Sequence, residues 1–309
     1  MPYEDRFGHL RFGGRLVFDG GTVTPVEEFE DAIAAVRLRT HPDGHIYPPI
    51  IHTVQATMDG QTMAVPQSQR AALLHRLPST HSIRLEQTFE DAQQARHNAA
   101  GFVVHFVGFV YGFRCQFSDW WFDRRVSATS GADYISPTPT EASRVVGTAL
   151  STWRALGRRQ QRVATNALYL HSRAHTYELP WERFQAEYQV FDAVFALSRD
   201  SGQLHSSGRV KHDRRIPAMC ERYAIPCKDD LVSTVRRLRN DLLHEALWDG
   251  GMPGDAGSSE AIYAALWLNR LTRRLLFAVL GLTGGYVTSA WWHLGQHSFA
   301  VRTAHETAV

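Results

Sequence analysis

Cysteine is scarce. Cys115, Cys220 and Cys227 are the three in 309 residues, an odd number with no C-x-x-C pair. That excludes a small disulfide scaffold and leads us to expect a reducing, cytoplasmic setting. Lysine is nearly missing: Lys211 and Lys228 stand alone, and the other 31 basic residues are arginine. Coding bias in a GC-rich genome explains this at least as well as function does. No apolar run is long and clean. The longest, Leu275 to Trp292, is interrupted by Gly281, Gly284, Gly285, Thr283, Thr288 and Ser289, so a buried helix plus tail is expected, not a membrane span. The first residues, MPYEDRFGHLRFGG, lack the basic-then-apolar pattern of a signal peptide. G-x-x-x-x-G-K-[ST], G-x-S-x-G and H-E-x-x-H do not occur, which removes the P-loop, hydrolase-elbow and zincin readings. No internal repeat is evident.

What is present fits a globular chain with a real core, long enough for two domains. Hydrophobic residues make up 44% and charged residues 21%, both ordinary values. The net charge of +2 is unevenly spread: residues 1–140 hold 12 Lys+Arg against 15 Asp+Glu, and residues 141–309 hold 21 against 16. The basic excess therefore lies in the C-terminal half, the direction that RNA binding predicts.

The first 140 residues read as an irregular α+β domain with a sensing or regulatory role. Arg15–Phe18 is β-prone and closed by Asp19-Gly-Gly21, Glu27–Arg39 leans helical, and Ile50–Met58 and Ile83–Thr88 read as strands. Phe89–Phe113 has helical spacing, although Val103-Val104 and Phe109-Val110 also suit a strand. His97 and His105 within it read as core residues. Asp119–Arg125, DWWFDRR, suits either base stacking or a buried strand end. Ser130–Thr140, with Gly, Ser and two prolines, reads as the linker.

Residues 141–309 read as an all-α bundle of four to five helices. Glu141–Thr176 is long, with a break expected at Gly157 and a basic cluster at Arg158, Arg159 and Arg162. A helix opens at Leu179-Pro-Trp-Glu182, residues 203–215 form a polar segment, a short helix covers Ile216–Tyr223, and the last helix runs over Ser259–Leu282. His171 and His175 have metal-compatible i, i+4 spacing, but Ser172 stands where a zinc protease needs glutamate. Cys220, Cys227, His205 and His212 lack close ligand-pair spacing. No metal is expected.

The penultimate helix, Val232–Trp248, carries the chemistry. Leu231, Val235, Leu238, Leu242 and Ala246 form an apolar stripe, while Arg236, Asn240 and His244 stack on another face beside Arg239. Cleavage of RNA by its own 2′-hydroxyl needs a proton carrier that works near neutral pH and a permanent cation for the developing phosphorane. Histidine and arginine supply these. Residues five apart lie about 140° apart around an α-helix, so one copy brings Arg239 and His244 only loosely together. A two-fold pair of helices would gather two sets around one cleft.

Arg239-Asn240-Asp241-Leu242-Leu243-His244 resembles the R-x(4–6)-H signature of the HEPN superfamily, with Asn240 in the place where a polar residue often follows the arginine. Over roughly residues 141–285 the chain looks most like the ApeA-type HEPN proteins of bacterial phage defence. The resemblance implies a HEPN-like helical domain, a homodimer joined through the motif helix, and metal-independent endoribonuclease activity in phage defence, toxin or stress response, without a cofactor. Arg239 would stabilise phosphate charge and His244 would act as general acid or base. Asn240 would orient His244 or bond the RNA, and Arg236, Arg237, Arg158 and Arg159 would hold its backbone. The rival is a non-catalytic RNA-binding, dimerisation or sensing module. Ala246 stands where a nucleotidyltransferase-paired branch of the family carries a tyrosine, which lowers an antitoxin-controlled reading of that kind.

Overall fold

A computed structural model describes residues 1–48, 54–64, 74–129, 137–204, 210–248, 259–294 and 301–303. The elements begin with β1 (Tyr3–Gly8), β2 (Leu16–Phe18), β3 (Gly21–Pro25), α1 (Phe29–Leu38), β4 (His45–Ile46), β5 (Val54–Ala56), β6 (Thr62–Ala64) and β7 (His81–Leu85). Then follow α2 (Ala92–Arg96), α3 (Ala99–Tyr111), β8 (Gln116–Phe117) and β9 (Val126–Ser127). Five strands form an antiparallel sheet in the order β2-β3-β7-β1-β8. Its register is fixed by alternation: His81, Ile83 and Leu85 of β7 are buried, while Ser82 and Arg84 face the other way. Of the strand expected at Ile50–Met58, only Val54–Ala56 is seen as strand, and residues 49–53 lie outside the described residues. Most of the expected linker, residues 130–136, is also outside them.

Phe89–Phe113 resolves into two helices broken at His97-Asn98, and its ambiguous second half is helical. All thirteen residues of α3 are buried, which explains why its sequence pattern could not choose: a helix covered on every side loses its amphipathic period. Gly112 adopts a left-handed conformation (φ 77°) and ends it. Its terminal carbonyls, cut off from water, still need donors. Arg273 supplies them from far along the chain, donating Nη1 to Phe109 O at 2.8 Å and Nη2 to Val110 O at 2.9 Å, with Nε to the Tyr286 hydroxyl at 2.7 Å. A cation at a helix C-terminus also opposes the helix dipole favourably.

The second half holds α4 (Pro139–Ala155), α5 (Arg158–Ala174), α6 (Pro180–Asp200), α7 (His212–Arg222), α8 (Asp229–Asn240), a π-helical turn (Asp241–Glu245) and α9 (Ser259–Val279). β10 (Leu282–Gly284), α10 (Gly285–Thr288), a 3-10 turn (Ala290–Leu294) and β11 (Val301–Thr303) follow. α4 opens with a capping box between Thr138 and Glu141, and Gly157 separates it from α5 as expected. Six helices, α4 to α9, replace the expected four or five. The break at Gly157 makes two helices of Glu141–Thr176, and the expected short helix starts earlier, at His212; residues 205–209 lie outside the described residues. α9 ends at Val279, and Leu282 is already in strand.

The main core crosses residue 140. Phe102, Phe106 and Phe109 of α3 belong to the same buried cluster as Trp153, Phe191, Leu271 and Phe277. A smaller core (Val36, Ile46, Leu77, Phe122, Val126, Ala128) sits under α1 and β9. Among the described residues, no helix is long and apolar enough to cross a membrane.

Candidate active site

The motif segment departs from a continuous helix in a way that changes its chemistry. α8 begins at Asp229, with Asp229 and Asp230 in its first turn, and buries Leu231, Thr234, Val235 and Leu238. At Asp241 the backbone widens into a π turn. The Asp241 carbonyl accepts from the Ala246 amide and, at 3.1 Å, from the Leu247 amide, and Ala246 sits left-handed at φ 56°. The expected apolar stripe therefore stops at Leu238, with Leu242 partly buried. Leu243, Ala246 and Leu247 are exposed. Trp248 then plunges into the core, its ring centroid 5.1 Å from that of Phe184 on α6.

In an α-helix residues i and i+5 diverge, whereas in a π turn they align. Arg239 and His244 accordingly meet within one chain, with Arg239 Nη1 3.1 Å from His244 Nε2. The loose convergence expected from α-helical geometry is corrected by this wider turn. Because a guanidinium only donates, His244 Nε2 must offer its lone pair, leaving the hydrogen on Nδ1. The same Nη1 donates to Asn240 Oδ1 at 3.0 Å. Asn240 thus holds Arg239, and through it the nitrogen that faces His244. Arg239 also lies over the Tyr188 ring of α6, 5.8 Å from its centroid, and its Nε is buried without a partner among the described residues. His244 and Asn240 are exposed. The result is a cation held from beneath by an aromatic ring and an amide, with a solvent-facing imidazole against it.

The other basic residues expected at the site are arranged differently. Arg236 and Arg237 line a groove of about 710 Å³ with Asn240, but Asp213, Asp230, Asp241 and Glu260 line it too. Arg237 lies 3.8 Å from Asp241. Carboxylates outnumber guanidiniums there, opposing a phosphate-holding role. Arg158 and Arg159 open α5, whose Gln160 bonds the Asp200 carbonyl at the far end of α6. Twelve residues of helix separate Asp200 from Tyr188, about 18 Å along the axis. Arg158 and Arg159 are therefore not gathered with Arg239.

A second polar cluster is buried. His171 on α5 and His175, which caps its C-terminus, meet Glu187 on α6, which sequence spacing did not connect to them, and their ligand atoms lie within 4.8 Å of one another. His171 Nδ1 is 3.0 Å from Glu187 Oε2, and Asn269 Nδ2 donates to Glu187 Oε1 at 2.8 Å and lies 3.4 Å from His175 Nε2. Burial pushes Glu187 up to about 8, against the opposing pull of His175 and Asn269. Burial, with Arg273 nearby, pushes His171 down to about 3, and His175 falls to about 4. This donor set could hold a divalent cation. Such an ion would bring a further positive charge into the apolar interior close to Arg273, an expensive addition. A neutral network of protonated Glu187, two neutral imidazoles and Asn269 adds no such charge. The Cys220 thiol hydrogen-bonds Cys227, which raises its pKa and lowers that of Cys227; His205 lies outside the described residues.

Comparison with protein-family models, with curated proteins and with solved structures found no match.

Proposed function

We propose that this chain is a metal-independent endoribonuclease of HEPN type, acting as a homodimer through the motif segment in phage defence, toxin or stress response. The contact between Arg239 Nη1 and His244 Nε2 at 3.1 Å on an exposed π turn carries the reading. In the reaction, a ribose 2′-oxygen attacks the adjacent phosphorus while its proton passes to an imidazole nitrogen. The P–O5′ bond breaks, a second imidazole protonates the leaving oxygen, and the products end in a 2′,3′-cyclic phosphate and a 5′-hydroxyl. His244 with its lone pair on Nε2 is the proton acceptor. Arg239, released from that nitrogen as phosphate arrives, places its planar fork on the phosphorane oxygens. A second copy of the chain supplies the second imidazole. Leu243 at 47% and Leu247 at 55% exposure flank His244 and give the two copies apolar surface to share.

That same apolar rim favours a second reading, in which the segment pairs two copies or binds RNA without cutting. Incubating purified protein with RNA in the presence of EDTA separates the two. Cleavage leaving 2′,3′-cyclic phosphate ends, lost in His244→Ala and Arg239→Ala, supports the nuclease. Unchanged cutting by both variants overturns it.

A further inference from the structure

We propose that the cleft between α2, β8 and the first turns of α5 binds a small nucleotide, at a site distinct from the Arg239–His244 segment. The cleft holds about 600 Å³, within the roughly 300–1,000 Å³ range of small-molecule sites. Trp153 forms an apolar floor. It is buried, stacked on Phe102 at 5.0 Å, and its indole N–H is already donated to the Gln161 carbonyl at 3.0 Å. Trp120, half-buried with its ring 5.9 Å from that of His97, lines the same cleft as Tyr169 of α5. Aromatic faces of this kind take any planar base, because stacking does not depend on base identity.

Two polar features select a phosphorylated base over other flat molecules. Gln116 is 4% exposed, is fixed by its place in β8, and has an Oε1 with no donor among the described residues. An orphaned acceptor at such depth is costly; Gln116 lines the cleft, and a turn of its amide towards it would let a base amine or ring N–H satisfy that oxygen. Arg158 and Arg162 are exposed and lie i, i+4 along α5, with no ion-pair partner among the described residues. They sit at the positive end of a seventeen-residue helix whose first turn contains no acid and whose N-cap is Gly157. Like charges there repel one another and the helix dipole, and a bound phosphate reverses both effects. Arg96, which also lines the cleft, is already neutralised by Asp5 at 2.7 Å and Asp119 at 2.8 Å. The phosphate end is therefore assigned to α5 and the base to the aromatic and Gln116 side.

Titration calorimetry of the full chain against AMP, ATP and GTP tests this, with adenosine, pyrophosphate and a short RNA as comparison ligands. A nucleotide is expected to bind at about 0.1 mM or tighter, at least about tenfold better than adenosine or pyrophosphate. The Arg158→Ala/Arg162→Ala variant, whose far-ultraviolet circular dichroism and unfolding temperature should match the parent, is expected to lose at least about tenfold in affinity. Gln116→Leu should weaken the nucleotides while leaving pyrophosphate unchanged. Absence of binding by all three nucleotides, undiminished binding by a folded double variant, or binding of the RNA alone would each overturn the assignment. Because neither arginine belongs to the motif segment, RNA cleavage reports separately on the proposed nuclease.

Discussion

At the scale of single residues, two side chains share one guanidinium nitrogen of Arg239, and loss of any of the three groups is expected to act differently. His244→Ala removes the proton carrier and should lower RNA cleavage by about 10²–10⁴-fold. Its fold should persist, since His244 is exposed and, among the described residues, hydrogen-bonds the Arg239 side chain. Asn240→Ala leaves both catalytic groups but frees Arg239 from its 3.0 Å tether; a loss of about tenfold is expected, smaller than that of Arg239→Ala. Initial rates on one RNA substrate rank the variants, and equal rates for Asn240→Ala and the parent would remove Asn240 from a positioning role. Glu187 offers a test of the buried cluster. Its folded pKa of about 8 stands above the ordinary 4.5, so the folded state keeps a proton that the unfolded chain releases. The stability this lends is complete below about pH 4.5 and drains away as pH rises towards 8. Glu187→Gln keeps the shape and removes the titration. Relative to the parent, the variant should gain more than about 1 kcal/mol between pH 5 and pH 7.5 in urea unfolding. A difference that does not change with pH would argue for a carboxylate held charged.

At the scale of elements, backbone geometry sets the site. Ala246 closes the π turn at φ 56°, a region costing about 1–2 kcal/mol for a residue with a side chain. Ala246→Gly should leave the unfolding temperature level or raise it. Ala246→Val, β-branched, should lower it and also reduce cleavage by disturbing the Arg239–His244 contact. The break between α2 and α3 has a similar lock: a Cβ on Gly101 would lie 2.0 Å from the Arg96 carbonyl oxygen. Gly101→Ala should destabilise the fold by about 1–3 kcal/mol, because backbone cannot step aside as a side chain can. Much of the element plan was readable from the chain. Gly157 and Leu179-Pro180 punctuate helices by local chemistry, and α8 shows its buried stripe up to Leu238. The π turn was not readable, because nothing in the local sequence Asp241–Glu245 marks a widening, and the burial of Trp248 against Phe184 just after it is a tertiary contact. Nor was the approach of Glu187 to His171, sixteen residues away, which is settled by how α5 packs on α6. The motif residues were visible as a set, but their contact was hidden by assuming α-helical angles.

At the scale of the whole molecule, the interior is unusually rich in neutral imidazole. His9, His81, His105 and His175 are pushed down to about 4 and His171 to about 3, in each case chiefly by burial. They span both halves of the chain, which share one core through α3 and its Arg273 cap. Each folded pKa lies below the ordinary 6.5, so the unfolded chain takes up protons that the folded one refuses. The stability involved is fully present above about pH 6.5 and is lost as pH falls towards 4. One such group costs about 1.4 kcal/mol per pH unit, and five together approach the entire stability of a domain, about 5–15 kcal/mol, within one to two units. Glu187 works in the opposite direction over pH 8 to 4.5, but it is a single group. Asp123, held down to about 2 between Arg114 and Arg173, adds its own loss only below about 3.8. Circular dichroism from pH 7.5 to 4 should therefore show one cooperative unfolding between about pH 6 and 4.5, with sheet and helix signals lost together. Its midpoint should move to lower pH in His105→Gln, which removes one of the five titrations without emptying the core. A chain still folded at pH 4, or two separate transitions, would contradict the picture of one acid-sensitive core spanning both halves.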